Sequence, residues 1–556
     1  MTGILVEALL DACATHADRP AIGFARRRPL TYAEVGRRIN RTAECLRDNG
    51  FGPGRRMLFS IRPAPASMIF LAGALAAGGS IVFADPGMSP RLFHARVTAA
   101  GPTHAAVESL VYAAGARGPI GAPARRRGLT LPRLADLDVT HIRSGPWLPG
   151  VPLSASSTHR PRRVQDAALP RVMMTADEAL IVFTSGTTTE PRGVVHTHQS
   201  LLTGFRSGAS ALHIDPAAVV LTDQAMIGLP ALLAGACWLM PRLGLSTHAG
   251  PRTIARLLGA EQSVTHTFIV PGELAAVLDL LDGPPAALSA ILAGGAPVTP
   301  GVARRVAERL PGVTLYSIYG MTELVPIAVA TGEQKLAWTA PGDPLGTGVD
   351  GVVTRIDDGQ LVVSGPALRA GYLSPTDGTV VPVDEVATGD LVIEVDGELA
   401  LSGRSKDMII RGTTNIYPGL YEPAVAAIDG VRECALVGID VEGATGDPEV
   451  VLALVVDDPS AADRVRCHLD DLVDRAAQPD RIVVVEEIPR AGRTRKPDRP
   501  ALAARLVSDA AQPEAAATAP WASTMRSAGG PSGTATPAGA GAPRQAPARR
   551  RWLRDR

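Results

Sequence analysis

Short apolar runs rich in β-branched and aromatic side chains alternate along most of this chain with longer stretches in which leucine, alanine and valine recur at helical spacing. RMLFS at 56–60, SIVF at 80–83, ALIVF at 179–183, AAVVL at 217–221 and AILA at 290–293 are too short and too continuously apolar for amphipathic helices, and read as buried strands. Strand and helix taking turns in this way predict parallel α/β layers. From 358 the pattern changes to closely spaced β runs broken by Gly turns (QLVVSGP, DLVIEVDGELALSG), which predicts a β-rich subdomain at 358–405 closing a large N-terminal domain of 1–405. DMIIRG, the helical YEPAVAAIDG, the strands ECALVGID, VVLALVV and RIVVVEEI, and a helix at 461–476 then predict a smaller α+β domain over 406–506. The segment 143–170 reads as a surface connection, and 507–556, almost empty of large apolar residues, as a disordered tail.

Composition narrows the class of partner. The 55 basic and 55 acidic residues cancel, which argues against nucleic acid or an anionic membrane and for a small-molecule substrate. Five scattered cysteines without a C-x-x-C pair suggest neither a disulfide framework nor a zinc site, so a cytoplasmic setting is expected. Glu7 interrupts the apolar N-terminus and spoils a signal-peptide reading. The longest uncharged stretch, 63–84, contains two prolines and three glycines and reads as a buried helix and strand, not a transmembrane segment. Lysine is scarce: Lys335, Lys406 and Lys496 are the only three, so 52 of the 55 basic residues are arginine.

The strand at 179–183 runs straight into TSGTTTEPRG at 184–193. Gly186 and Gly193 allow backbone angles closed to other residues, and Thr184, Ser185, Thr187, Thr188 and Thr189 offer hydroxyl donors beside backbone N–H groups, as an anion nest requires. The spacing to Gly193 and the lack of a following Lys-Ser or Lys-Thr exclude a Walker loop.

Five further stretches follow in fixed order: AGGAPV, YGMTE, TGD, GRSKDMIIRGTTNIYP and RKPDR. Together with the loop they resemble the adenylate-forming superfamily of acyl-CoA ligases, peptide-synthetase adenylation domains and luciferase-type enzymes, over 5–502. The resemblance implies a large α/β domain of stacked sheets and a small mobile C-terminal domain, with ATP and Mg²⁺ as cofactors. It assigns Thr184, Ser185, Gly186, Thr187, Thr188 and Arg192 to the ATP phosphates, and lays Gly294, Gly295 and Ala296 along the adenine. Tyr319, Gly320 and Met321 would flank the base, Thr322 would bond the α-phosphate, and Glu323 would hold the metal as a hard oxygen ligand. Asp390 and Arg404 would grip the ribose, Lys406 would be the hinge of the C-terminal domain, and Lys496 would neutralise charge that builds as a carboxylate attacks the α-phosphate. Two of the three lysines thus fall where the family uses that residue.

The implied activity is conversion of a carboxylic acid to acyl-AMP with release of pyrophosphate, followed by transfer to a thiol, with coenzyme A as co-substrate or an acyl carrier or pathway enzyme as partner. Met226, Ile227 and Leu229, in place of an aromatic or His at the acyl wall, suggest a fatty or aliphatic acid. Two other readings stand beside it. ADPGMSPRLF at 84–93 and YGMTELVP resemble the olefin-pathway β-lactone synthetases, which adenylate a β-hydroxy acid. Thr189 and Arg192 depart from the family's Gly and Lys and suggest a member that binds without turnover, against which the set Glu323, Asp390, Arg404 and Lys496 speaks.

Overall fold

A computed structural model describes residues 4–84, 90–118, 120–126, 131–158, 177–183, 192–244, 246, 248–374, 376–404, 407–411, 414–439, 448–473, 477–491 and 496–511. Each strand read from the sequence forms. Arg56–Ser60, Ser80–Phe83, His104–Glu108 and Thr140–Ser144 pair in parallel with one another and, through Ser80–Phe83, with Glu178–Phe183. They make the centre of a nine-stranded sheet whose far end is completed by Gly193–Thr197, Gly371–Leu373 and Val380–Pro382. Within the expected connection 143–170, Ser156–Ser157 form a short edge strand of that sheet, and 159–170 lie outside the described residues.

A thirteen-stranded sheet stacks with it. Its parallel part runs through Pro20–Phe24, Cys237–Met240, Val219–Leu221, His266–Phe268, Ala290–Gly294 and Thr314–Met321. At Leu324–Thr331 the direction reverses, and Asp343–Gly348, Glu398–Arg404, Glu385–Val395, Gln360–Ser364 and Val353–Asp357 continue it antiparallel. One core joins the two sheets: Met57, Phe59 and Ile81 of the first pack in the same cluster as Ile22, Trp238 and Met240 of the second. The helices Tyr32–Arg47, Pro65–Ala76 and His198–Ala211 fill the space between them. The helix at Pro65–Ala76 is buried nearly all round, as an uncharged apolar segment must be in a large α/β core. Among the described residues no helix is long and apolar enough to cross a membrane.

One buried ion pair ties the strand that leads to the phosphate-loop sequence into its sheet. Arg56 donates to Glu178 through Nε at 2.8 Å and Nη2 at 2.7 Å, and through Nη1 to the carbonyls of Ala100 and Gly378. Ser80 Oγ donates to the same carboxylate at 2.7 Å. Arg and Glu side chains are both fully buried, and their hydrogen bonds offset the cost of desolvating two charges.

The C-terminal part contains a three-stranded sheet of Val431–Ile439, Glu449–Val456 and Arg481–Val484, covered by Pro418–Ala426 and Ser460–Leu472. The hairpin Arg490–Ala491 with Lys496–Pro497 follows it, anchored by the Arg490–Glu433 ion pair at 2.6 Å. Residues 512–556 lie outside the described part.

Candidate active site

The site assembles at the ends of three neighbouring strands. Gly294 at the end of Ala290–Gly294 pairs with Ile318, and Gly295 turns away with φ +81°, a conformation that glycine adopts without strain. A Cβ on Gly294 would stand 3.1 Å from the Ile318 carbonyl, so the glycine is also what lets the two strands close up here. Gly294 therefore lies against the strand position just before Tyr319, and Gly295 and Ala296 follow it out of the sheet. Thr314–Met321 then reverses tightly, Met321 pairing with Leu324, and Thr322 and Glu323 form the turn.

Two side chains from this hairpin are held by partners from distant sequence. Tyr319 Oη donates to Asp390 Oδ2 at 2.7 Å. Asp390 follows Gly389, which has φ +75°, and its backbone N–H donates to Thr388 Oγ1. Asp390 and Arg404 face each other as register partners of adjacent strands. Glu323 Oε1 accepts from Tyr372 Oη at 2.9 Å, and the Glu323 carbonyl accepts from the Arg369 N–H. Both carboxylates are buried, Glu323 at 7% and Asp390 at 6% exposure, so each depends on such donors.

A third contact comes from Gly193–Thr197. His196 Nε2–H donates to the Thr322 carbonyl at 2.9 Å. Burial pushes this imidazole down to about 4, so it is a neutral prop for the turn at physiological pH. Tyr372, the register partner of Val194, has its phenol pushed up to about 12 by burial and by the adjoining Glu323 charge. The guanidinium of Arg369 lies 3.7 Å from the Tyr372 ring centre, and that of Arg192 6.0 Å from it.

A narrow apolar groove begins on the same hairpin. Ile318 and Val325 form one side, and Phe205, Gly208, Met226 and Ile227 face them from two helices. Met226 and Ile227 thus line it as the sequence suggested. Leu229 does not; it packs against the core, because on the helix Ala225–Leu233 the groove-facing positions are 226, 227 and 230, one turn apart, and 229 points elsewhere.

Of the other residues assigned from sequence, Thr184, Ser185, Gly186, Thr187, Thr188, Thr189 and Lys406 lie outside the described residues, as do the side chain of Arg404 and most of ADPGMSP. Lys496 is on the C-terminal hairpin, paired in register with Ala491. Lys335, to which the sequence gave no role, is buried and bonds Asp343 at 2.5 Å, joining Gly332–Ala337 to the next strand.

Sequence reasoning missed Arg369, Tyr372 and the Val325 side of the groove. The available signal was the GY pair of RAGYL, but one arginine among 52 does not stand out.

As for a metal, the described residues contain no cluster of three or more His, Cys, Asp or Glu side chains able to cage an ion. A single buried carboxylate such as Glu323 fits an ion that keeps water and phosphate oxygens as its other ligands, which is how Mg²⁺ binds with nucleotides.

Comparison with known proteins gives the chain's family and fold. The family of AMP-binding enzymes matches over residues 9–373. The chain is 26% identical to triostin synthetase I of Streptomyces triostinicus, covering 91% of the chain and 95% of that protein. It is 28% identical to a feruloyl-CoA synthase of an Amycolatopsis species, over 74% of the chain and 80% of the relative. Tyrocidine synthase 3 of Brevibacillus parabrevis is 27% identical over 89% of the chain, which spans only 8% of that much longer protein. Among solved structures, the amide bond synthetase McbA of Marinactinospora thermotolerans superposes with a TM-score of 0.72 at 21% identity, covering 90% of this chain and 99% of that one, and so shares the fold.

Proposed function

The chain belongs to the AMP-binding enzyme family, the adenylate-forming ligases that use ATP, and from that premise we propose that it activates a compact aliphatic carboxylic acid as its acyl-AMP and passes the acyl group to a thiol, coenzyme A in the first place. The observation that carries the reading is the continuity of one hairpin: Ile318 and Val325 wall an apolar groove while Tyr319 and Glu323, between them, are held by Asp390 and Tyr372. An acyl chain in the groove would bring its carboxylate to the Thr322–Glu323 turn.

Each residue then has a role that its chemistry permits. Tyr319, Gly294, Gly295 and Ala296 take the adenine, and Asp390 with Arg404 takes the ribose hydroxyls. Thr322 donates to the α-phosphate, and Glu323 would hold Mg²⁺, which would supply positive charge near the phosphates. Lys496 lies in the mobile 406–506 domain, for which Lys406 is the hinge, and offsets charge on the attacking carboxylate and departing pyrophosphate. Groove walls without a charged or hydrogen-bonding side chain favour methylenes and disfavour amino or hydroxy acids, since a buried polar group without a partner is costly.

The test is pyrophosphate release over a panel of carboxylic acids, with a mass spectrum of the product with and without coenzyme A. Aliphatic acids giving acyl-CoA are expected. Turnover confined to polar amino acids would refute the substrate class, and product formed only with an amine acceptor would refute the thiol.

A further inference from the structure

Arg369 is a buried cation that its protein neighbours leave incompletely bonded. Its side chain belongs to a residue only 2% exposed, yet Nε and Nη1 have no hydrogen-bond partner among the described residues. Its guanidinium lies over the Tyr372 ring, 3.7 Å from the ring centre, and is hydrogen-bonded to that side chain, which leaves the Nε and Nη1 donors unused among the described residues. Burying an arginine so that its donors stay idle is unfavourable, and the usual remedy is a carboxylate or phosphate that receives them two at a time.

The charges around it indicate which kind of ligand it suits. Arg369, Arg192 and Glu323 surround the Tyr372 phenol, and His196 beside them is neutral. Two guanidiniums against one carboxylate leave the cluster one positive charge in excess. Its position is equally informative: Tyr372 pairs with Val194 of Gly193–Thr197, the strand that Arg192 precedes, so the ring that Arg369 covers lies beside the point where Arg192 enters the sheet.

We propose that Arg369 is a direct ligand of the pyrophosphate portion of ATP, acting with Arg192 as a two-guanidinium clamp whose orientation is set by the stack on Tyr372. This rests on the adenylation reading and adds to it a residue that no motif of the sequence indicated. A clamp of this kind holds the β- and γ-phosphates before reaction and stabilises pyrophosphate as it leaves. It also makes part of the phosphate affinity independent of a metal ion.

Calorimetric titration of the full-length protein with inorganic pyrophosphate and, separately, with AMP, both in EDTA, tests this. Wild type is expected to bind both. Arg369→Met should weaken pyrophosphate binding at least tenfold and change AMP affinity less than twofold, and Arg369→Lys, which keeps the charge but not the fork, should fall between. The exposed Arg28→Met serves as control and should behave as wild type, which separates this cluster from the general arginine content. Pyrophosphate affinity unchanged in Arg369→Met, or lowered equally in Arg28→Met, overturns the proposal. AMP binding by wild type without any pyrophosphate binding overturns it while sparing the adenylation reading. Failure to bind either ligand removes both. Should Arg369→Met not fold, Arg369→Lys decides alone, and an unchanged pyrophosphate affinity there overturns the proposal.

Discussion

Arg56 and Arg369 are both buried arginines, and they are finished differently. Arg56 spends its donors on both oxygens of Glu178 and on two carbonyls, and the carboxylate takes a further bond from Ser80. Arg369 stacks on one ring and leaves two nitrogens unsatisfied within the described residues. Lys335, closed onto Asp343, belongs with Arg56. A closed cation is a structural bolt whose loss is felt by the fold, whereas an open one is held ready for something the protein does not itself provide. The chain's cations can therefore be sorted by the completeness of their partners, and that sorting can be broken experimentally.

The largest effect is expected at Lys496, the cation proposed to act in catalysis. Lys496→Ala should lower acyl-AMP formation by about 10²–10⁴-fold while the melting temperature and ATP affinity stay close to wild type, because the group acts mainly in the transition state. Single-turnover acyl-AMP assays beside ATP titration check this, and an equal loss in ATP affinity would move Lys496 from catalysis to binding. Arg56→Met should do the reverse. It leaves the Glu178 carboxylate buried without its cation, so urea unfolding should show a loss of about 3–5 kcal/mol, with the folded fraction still active. The double variant Arg56→Met with Glu178→Leu should recover part of that loss, and no recovery would mean that the pair is not what the site depends on.

A third kind of buried group stays uncharged. His104 and His196 are both pushed down to about 4 by burial, from an ordinary value of 6.5. The sign follows from linkage: the unfolded chain takes up protons first, so the stability present above pH 6.5 is lost as pH falls towards 4. A decline on the order of 1–2 kcal/mol per group between pH 6.5 and 5 is expected in urea titrations. A flat profile would show that one or both rings are charged in the fold. The smallest effect concerns the groove. Met226 lines it from a position 40% exposed, so Met226→Trp can fill it without disturbing the core. KM for the acid should rise about tenfold with ATP affinity unchanged, consistent with the value of a methylene or two in an apolar pocket.

The elements that sequence foretold are those whose cause is local. Continuous apolar runs such as ALIVF and AILA became strands because neighbouring helices bury both faces of a parallel sheet. The roles expected of YGMTE and TGD came from the resemblance of the whole ordered set of motifs to a family, since neither stretch is specific alone. What stayed hidden depends on pairing across long separations. The β runs from 358 to 405 read as one subdomain, yet Gln360–Ser364, Glu385–Val395 and Glu398–Arg404 hydrogen-bond through Asp343–Gly348 into the same sheet as Ala290–Gly294, while Gly371–Leu373 and Val380–Pro382 join the other sheet, a pairing that no local pattern encodes. Leu229 was misplaced because three apolar neighbours look alike until the helix phase is known. Arg369 was invisible because an arginine-rich chain hides the one that matters, whereas the rarity of lysine drew notice to Lys335, which proves to be structural.

The hairpin at 314–331 has a consequence for how this enzyme can change. Ile318 and Val325 shape the groove, while Tyr319 and Glu323 are the anchored residues between them. A substitution made on that side to admit a new acid is expected to shift Tyr319 and Glu323, the side chains proposed to meet the nucleotide, by the same movement, so altered selectivity and impaired chemistry should arrive together. The opposite wall, Phe205, Gly208 and Met226, rides on helices whose other neighbours are core. Selection for new substrates is therefore expected to travel along that wall, and a library confined to those three positions should return more active variants than one of equal size spent on the hairpin.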